Sequence, residues 1–247
     1  PTRAPLYINT LDQRVELMKA AGIDEIVVAE FSPDLANLPK QGFMTSVLRD
    51  RLQCKRLVVG SNFRFGKNRE GDTRFLHEAA PALGIGVTVV PAVIVNGGPV
   101  SSTRIRAMIA RGDVEASSRL LGRRFALRGV VVQGRQIGRS IGFPTANIQT
   151  GPRQLIPGRG VYAVEVKVAK TVYPGVCSIG TRPTFDGRSV TVEVHLPGFE
   201  GNLYGECLDV VFCRRLRDEM KFESPQHLVE QIEQDIRDAA GSCGDGR

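Results

Sequence analysis

Two short runs far apart in the chain hold side chains whose types and spacing could serve phosphoryl transfer. In P-T-A-N, Pro144 to Asn147, an extended backbone alternates its side chains, so Thr145 and Asn147 emerge on one face while Ala146 and Ile148 take the other. A hydroxyl and a carboxamide oxygen are neutral, hard donors. They suit Mg²⁺, which keeps waters and takes further ligands from substrate phosphates. The same residues also spell an ordinary turn with an Asx hydrogen bond. In V-T-V-E-V-H-L, Val190, Val192, Val194 and Leu196 form an apolar face and leave Thr191, Glu193 and His195 on the other. A carboxylate there is commonly just solvated. If that face lines a barrel mouth, Glu193 can accept a proton from a substrate hydroxyl.

Upstream of P-T-A-N, the stretch from Gly129 to Ile148 carries Gly129, Gly134, Gly138 and Gly142. Glycines in a strand-to-loop region let backbone N–H groups approach a phosphate and form an anion-binding concavity. A glycine-rich hairpin reads the same way. A second anion signal is S-S-T-R-I-R, Ser101 to Arg106. Its three hydroxyls and early N–H groups sit at a helix N-terminus with Arg104 and Arg106 close by, where phosphate is favoured. A capped helix start uses the same residues.

The elements that must position these groups change character along the chain. In the first half, Thr10 and Gln13 are spaced as a capping box ahead of Leu11, Val15 and Met18, with Gly22 as terminator. Strand-like runs follow at Ile26 to Phe31, Leu57 to Gly60 and Val87 to Val90. Helical stretches around Phe43 to Leu52 and Thr73 to Leu83 separate them, which predicts a parallel α/β sheet. Two short helices, Thr103 to Arg111 and Val114 to Leu121, end at Gly112 and Gly122. From Phe125 onward the runs are short and β-rich: Ala126 to Val132, Val161 to Val168, Val190 to Leu196 and Cys207 to Phe212. That spacing predicts an antiparallel barrel or sandwich. A final helix starts with Ser224 as N-cap and Pro225 at its first position, with Leu228, Val229, Ile232 and Ile236 on one face. The domain boundary falls near Gly122, dividing residues 1–121 from 122–247, and the tail after Ala240 reads as disordered.

The composition sets bounds. At 247 residues, 42% hydrophobic and 24% charged, the chain is long enough to bury a core and is not a disordered or disulfide-stapled sequence. No apolar run reaches the roughly 20 residues needed to cross a bilayer, and the opening P-T-R-A-P has no signal-peptide layout, so a cytoplasmic location with no membrane partner is expected. Five scattered cysteines without a C-x-x-C pair read as reduced structural thiols. Three isolated histidines offer no zinc-ligand spacing. The net charge of +7 fits anionic partners generally. Four Tyr, eleven Phe and no Trp, with arginines spread along the chain, provide no stacking platform, so nucleic acid is not an expected partner. The sequence sets no oligomeric state.

Taken together, Gly129 to Asn147, G-V-Y-A-V (Gly160 to Val164), I-G-T-R-P-T-F (Ile179 to Phe185), V-E-V-H-L (Val192 to Leu196), N-L-Y-G-E (Asn202 to Glu206) and L-R-D-E-M-K-F-E-S (Leu216 to Ser224) resemble bacterial riboflavin kinase in order and spacing. The resemblance implies a six-stranded antiparallel barrel with a C-terminal helix, ATP as co-substrate, and riboflavin converted to FMN. By the same resemblance Thr145 and Asn147 hold Mg²⁺ and ATP phosphates, and Glu193 is the base that activates the ribityl 5′-hydroxyl. Gly134, Gly138, Arg139 and Gly142 belong to the phosphate loop. Ser178 stands where the family usually has Asn, and Gly198 where an Asp is common; neither is a proposed catalytic position.

The first half resembles the Rossmann-like nucleotidyltransferase domain that bacteria fuse to this kinase in FAD synthetase. The matching residues are V-G-S-N-F-R-F-G-K-N-R-E-G-D (Val59 to Asp72) and S-S-T-R-I-R. This implies an ATP and FMN phosphate site at Ser101, Ser102, Thr103 and Arg106, with Asn62, Phe63 and Arg64 near the FMN. The family's opening strand and G-x-F-D-G-x-H-x-G-H loop are not among these 247 residues. The sequence is therefore expected to be a fragment of a longer chain, or its first domain an N-terminally incomplete remnant without FMN adenylyltransferase activity. Losing that strand is expected to expose Val27, Val28, Val58 and Val59. The alternative is a monofunctional riboflavin kinase whose first domain is a remnant with a regulatory RNA-binding role.

Overall fold

The structure, a computed structural model, describes residues 5–134, 138, 141–184 and 187–244. By packing, the chain forms two compact units. One holds residues 24–100; the other joins the first 23 residues to 101–247. The change of sequence grammar near Gly122 thus lies inside the second unit, because two helices before it share a core with the barrel after it.

The smaller unit is built on two parallel strands, β1 (Arg56–Gly60) and β2 (Gly86–Val90), paired from Arg56↔Gly86 to Gly60↔Val90. Around them lie α2 (Pro33–Asn37), α3 (Lys40–Gly42), a π-helical stretch over Phe43–Arg51, and α4 (Thr73–Ala79). The helix expected to reach Leu83 stops early, since the Pro81 ring would clash with a carbonyl one turn back, and a 3₁₀ turn finishes it. Met44, Leu48, Val59, Phe65, Leu76, Ala80 and Ile85 form the core. A short hairpin, β3 (Ile94–Val95) with β4 (Gly98–Pro99), ends the unit.

The run Ile26 to Phe31 is not a strand: its apolar β-formers join no ladder among the described residues. Val27, Val28 and Val58 are 67%, 61% and 60% exposed, as expected. Val59 is the exception at 8%, because it points from β1 into the helix-side core.

The larger unit is a closed antiparallel barrel. Its strands are β5 (Ala126–Val132), β6 (Thr145–Thr150), β7 (Gly160–Val168), β8 (Thr171–Thr184), β9 (Gly187–His195) and β10 (Cys207–Arg217), in the order β10-β5-β6-β9-β8-β7. The pairings Val164↔Phe212, Val210↔Leu127, Tyr162↔Cys177 and Cys177↔Val194 put these buried side chains on one face, the barrel interior. The opposite face presents Val161, Ala163, Val176 and Cys213 outward, where Ala239 and Ile236 of the C-terminal helix α7 (Pro225–Ala239) cover them. Ser224 and Pro225 start α7 as expected.

Two of the five cysteines are not free thiols. Cys213 on β10 and Cys243 after α7 form a disulfide with Cα atoms 5.4 Å apart. Scattered spacing hides such a pair, because the fold and not the sequence interval brings the two together. The same bond corrects the expected disorder of the tail as far as Gly244. Arg124, paired with Glu165 at 3.0 Å, adds to it by donating to the carbonyls of Cys243 (3.1 Å) and Gly244 (3.2 Å).

Helix α1 (Leu11–Ala20) carries the expected Thr10–Gln13 capping box, but it does not bury its apolar stripe. Leu11 and Met18 are exposed, and the buried residue is Gln13, which donates to Asp209 Oδ1 at 2.8 Å. Beside it Arg128 bridges Asp209 and Glu16, reaching Glu16 at 2.7 and 2.8 Å. These two carboxylates raise the Arg128 pKa above its ordinary value. Helices α5 (Ser102–Arg111) and α6 (Val114–Leu121) complete this unit. Arg128→Met removes the counter-charge of both acids and should destabilise the protein by about 1–3 kcal/mol, read as a lower urea midpoint at unchanged m-value.

Candidate active site

Four barrel strands place the catalytic candidates side by side. One rung across β6, β9, β8 and β7 runs Asn147, Glu193, Ser178, Val161; the next runs Thr145, His195, Val176, Ala163. Directly paired antiparallel residues point to the same side, so all eight share the outer face. This corrects one detail of the sequence expectation: Glu193 stands on the outer wall facing α7, not inside a barrel mouth. Thr145 Oγ1 donates toward Glu193 Oε2 at 3.4 Å, and Asn147 is the cross-strand partner of Glu193.

Two cavities meet there. A groove of about 510 Å³ is lined by Val131, Thr145, Ala146, Leu196, Phe199 and Tyr204. A cleft of about 300 Å³ lies between the outer wall and α7, with Glu193 and His195 on one side and Met220, Phe222, Leu228 and Ile232 on the other. Thr145 is the one residue, among those described, that lines both. The far wall of the cleft is held by a buried ion pair. Asp235, 3% exposed, takes Arg217 Nε at 2.8 Å and Nη2 at 2.7 Å, and Gln231 adds a third hydrogen bond at 3.0 Å. Burial pushes the Cys177 thiol, behind the wall, well above its ordinary pKa, with the charge of Glu193 adding to the shift.

The glycine loop approaches the same point. A Cβ on Gly134 would overlap the Asn147 carboxamide, and one on Gly138 would overlap the Phe143 carbonyl oxygen. Gly142 has φ +91°, a left-handed conformation that side chains disfavour. Arg139 lies outside the described residues. The oxygens of Thr145 and Asn147 form a hard, neutral donor set next to one carboxylate, which fits Mg²⁺.

The residues expected in the first half fall in different compact units. Following β1, Phe63 stacks on Phe65 with centroids 5.6 Å apart. Asn62 lies in the same turn, and Arg64 pairs with Asp72 at 3.2 Å. Asp72 caps α4; the Phe75 N–H and then Arg64 hold its carboxyl below the usual range. In the larger unit Ser101 caps α5 by accepting from Arg104 N at 3.3 Å, with Ser102 and Thr103 in the first turn. Arg106 Nε donates to the Leu6 carbonyl at 2.7 Å. Ser101 and Arg106 thus already have structural partners.

Sequence reasoning assigns no role to His195, Arg217, Asp235 or the Phe199–Tyr204 wall. His195, Arg217 and Tyr204 lie in the visible motifs V-E-V-H-L, L-R-D-E-M-K-F and N-L-Y-G-E, whereas Phe199 and Asp235 lie in none of these, and only the closed barrel and its C-terminal helix bring them all to the two cavities.

Comparison with known proteins supplies the family. Residues 121–243 match the riboflavin kinase family model, and residues 1–104 match the FAD synthetase model. A bifunctional riboflavin kinase/FMN adenylyltransferase from Haemophilus influenzae is 36% identical over 96% of this chain and 77% of its own length. The protein of that name from Escherichia coli K12 is 38% identical over 94% and 74%. This chain belongs to the bifunctional riboflavin kinase/FMN adenylyltransferase family. A solved Streptococcus pneumoniae structure, described as a macrolide-efflux protein, superposes with a TM-score of 0.87 at 34% identity over 95% of this chain and 76% of its own. Efflux is a statement about that protein. No helix among the described residues here is long and apolar enough to cross a membrane. Similarity to bifunctional family members along both halves favours membership of that family over a kinase with an RNA-binding remnant.

Gly134→Ala should displace the Asn147 carboxamide while sparing the backbone, since Gly134 has no left-handed φ. Steady-state kinetics should show the KM for Mg·ATP raised about tenfold, with the thermal midpoint within a few degrees of the parent.

Proposed function

We propose that residues 122–247 transfer the γ-phosphoryl group of ATP to the ribityl 5′-hydroxyl of riboflavin, giving FMN and ADP. The observation that carries this reading is the shared position of Thr145 between the two cavities, with the Glu193 carboxylate 3.4 Å away and opening into the cleft. The groove takes ATP, its adenine against Leu196, Phe199 and Tyr204. The cleft takes the flavin, whose flat ring suits the apolar surfaces of Met220, Leu228 and Ile232.

Phosphoryl transfer asks mainly for alignment and charge neutralisation. The amides around Gly134, Gly138 and Gly142 cradle the phosphates, with Arg139 in the same loop. Thr145 Oγ1 and Asn147 Oδ1 are the protein oxygens that would hold Mg²⁺; when bound it offsets the negative charge of the phosphates. Glu193 accepts the hydroxyl proton as the ribityl oxygen bonds to the γ-phosphorus and the bond to the β-phosphate oxygen breaks. The functional division falls at residues 1–121 and 122–247. Adenylylation of FMN to FAD is assigned to the first part as the family's second activity. The reading makes this a cytoplasmic enzyme whose partners are riboflavin, FMN and ATP.

Glu193→Gln should lower kcat for FMN formation by about 10²–10⁴-fold, the usual contribution of a positioned base, with the fold intact by circular dichroism. Near-parental turnover would assign the proton to another group. Assaying FAD in the same mixture with FMN, ATP and Mg²⁺ measures the second activity separately.

A further inference from the structure

The ladder joining β6 to β9 has only three rungs, and Thr145↔His195 is its last. Beyond that rung the chain reaches Pro144, which has no N–H to extend the ladder. Before Pro144 come Phe143 and the left-handed Gly142. The key hydroxyl therefore sits at the end of a short pairing, where a strand frays most easily.

A side chain takes over where the backbone ladder stops. His195 Nδ1 lies 2.8 Å from the carbonyl oxygen of Pro144. A carbonyl only accepts, so Nδ1 carries the proton and donates, and in the neutral ring Nε2 is left with the lone pair. The same imidazole meets the Phe143 ring edge-on, at 5.5 Å between centroids and 75° between planes. One residue thus grips the two positions immediately before Thr145. Its Nδ1 is committed to that carbonyl.

We infer that His195 is a positioning residue: by donating from Nδ1 to Pro144 it fixes the Phe143–Pro144–Thr145 segment and holds the Thr145 hydroxyl at the junction of groove and cleft. Its kinetic consequence rests on the kinase reading above; its hydrogen bond does not. Misplacing a substrate-positioning group by about 1 Å can cost on the order of 10²-fold in rate.

The test uses the whole 247-residue chain with three substitutions. The amide N–H of H195N falls near the position of Nδ1, that of H195Q nearer Nε2, and H195F keeps the ring contact without any donor. We expect kcat/KM for Mg·ATP to fall about 10²-fold in H195F and H195Q and to recover to within about fivefold of the parent in H195N. In the ¹⁵N-histidine spectrum of the parent, the resonance pair missing from H195N should show the Nδ1–H tautomer. An Nε2–H tautomer, H195Q outperforming H195N, or parental kinetics in all three variants would overturn the inference. If the parent makes no FMN, the kinase reading falls, and the tautomer alone then upholds or overturns the tether between His195 and Pro144.

Discussion

A β-ladder leaves each paired residue no choice of side, and the register of β6 on β9 is the constraint on which the site depends. With Asn147 opposite Glu193 and Thr145 opposite His195, two neutral oxygen donors and a carboxylate stand on adjacent rungs of one wall. A slip of one residue would send Thr145 and Asn147 into the barrel interior and bring Ala146 and Ile148 to the outer face. The slip is resisted from inside: Ile148, Val192 and Val194 are buried where the barrel core needs them. Hydrophobic packing on one face therefore sets the geometry of the polar chemistry on the other.

The outer wall becomes a cleft because α7 and the segment before it stand over it. Burying the Asp235 carboxylate would be costly alone, and the bidentate Arg217 contact with Gln231 beside it meets that cost. Because Arg217 ends β10 and Asp235 lies on α7, the pair fixes the helix to the barrel at the cleft. The Cys213–Cys243 disulfide and the Arg124 contacts fix the helix's far end. The apolar cluster of Val161, Ala163, Val176 and Ala239 lies between these attachments. The cleft thus occupies the part of the interface that side chains do not fill.

How far the sequence reveals this architecture depends on whether the signal is local. The alternation in V-T-V-E-V-H-L predicts both the core face and the site face of β9. Ser224 and Pro225 mark the start of α7. Composition does not mark β6 and β8 as strands: β6 follows a proline turn with a polar T-A-N start, and β8 contains Pro174, Gly175 and Gly180. Ile26 to Phe31 fails in the opposite direction, since β-propensity makes a strand only where a partner exists. The stripe on α1 misleads because the helix docks through Gln13 and Glu16 onto Asp209 and Arg128, a polar contact that hydrophobic periodicity does not register. For the site, the residue types at Thr145, Asn147 and Glu193 are readable, whereas the roles of His195 and Asp235 emerge only when distant segments meet.

The chemistry also explains why so much of the site consists of supports. The reaction proposed here requires little of the protein beyond holding a hydroxyl in line with a phosphorus and providing one acceptor for its proton. Accordingly, the groups near the reacting atoms are few: two neutral oxygens and a carboxylate. Most of the surrounding residues restrict motion. Gly134 leaves no space between the loop and Asn147, Pro144 ends the ladder at a set point, His195 ties that point back to β9, and Arg217 with Asp235 holds the opposite wall. An arrangement selected for alignment would concentrate its hydrogen bonds on the backbone leading to the catalytic side chains and turn the side chains themselves toward substrate. The His195 to Pro144 contact follows that pattern, acting on the residue before Thr145 while the Thr145 hydroxyl faces the junction of the two cavities.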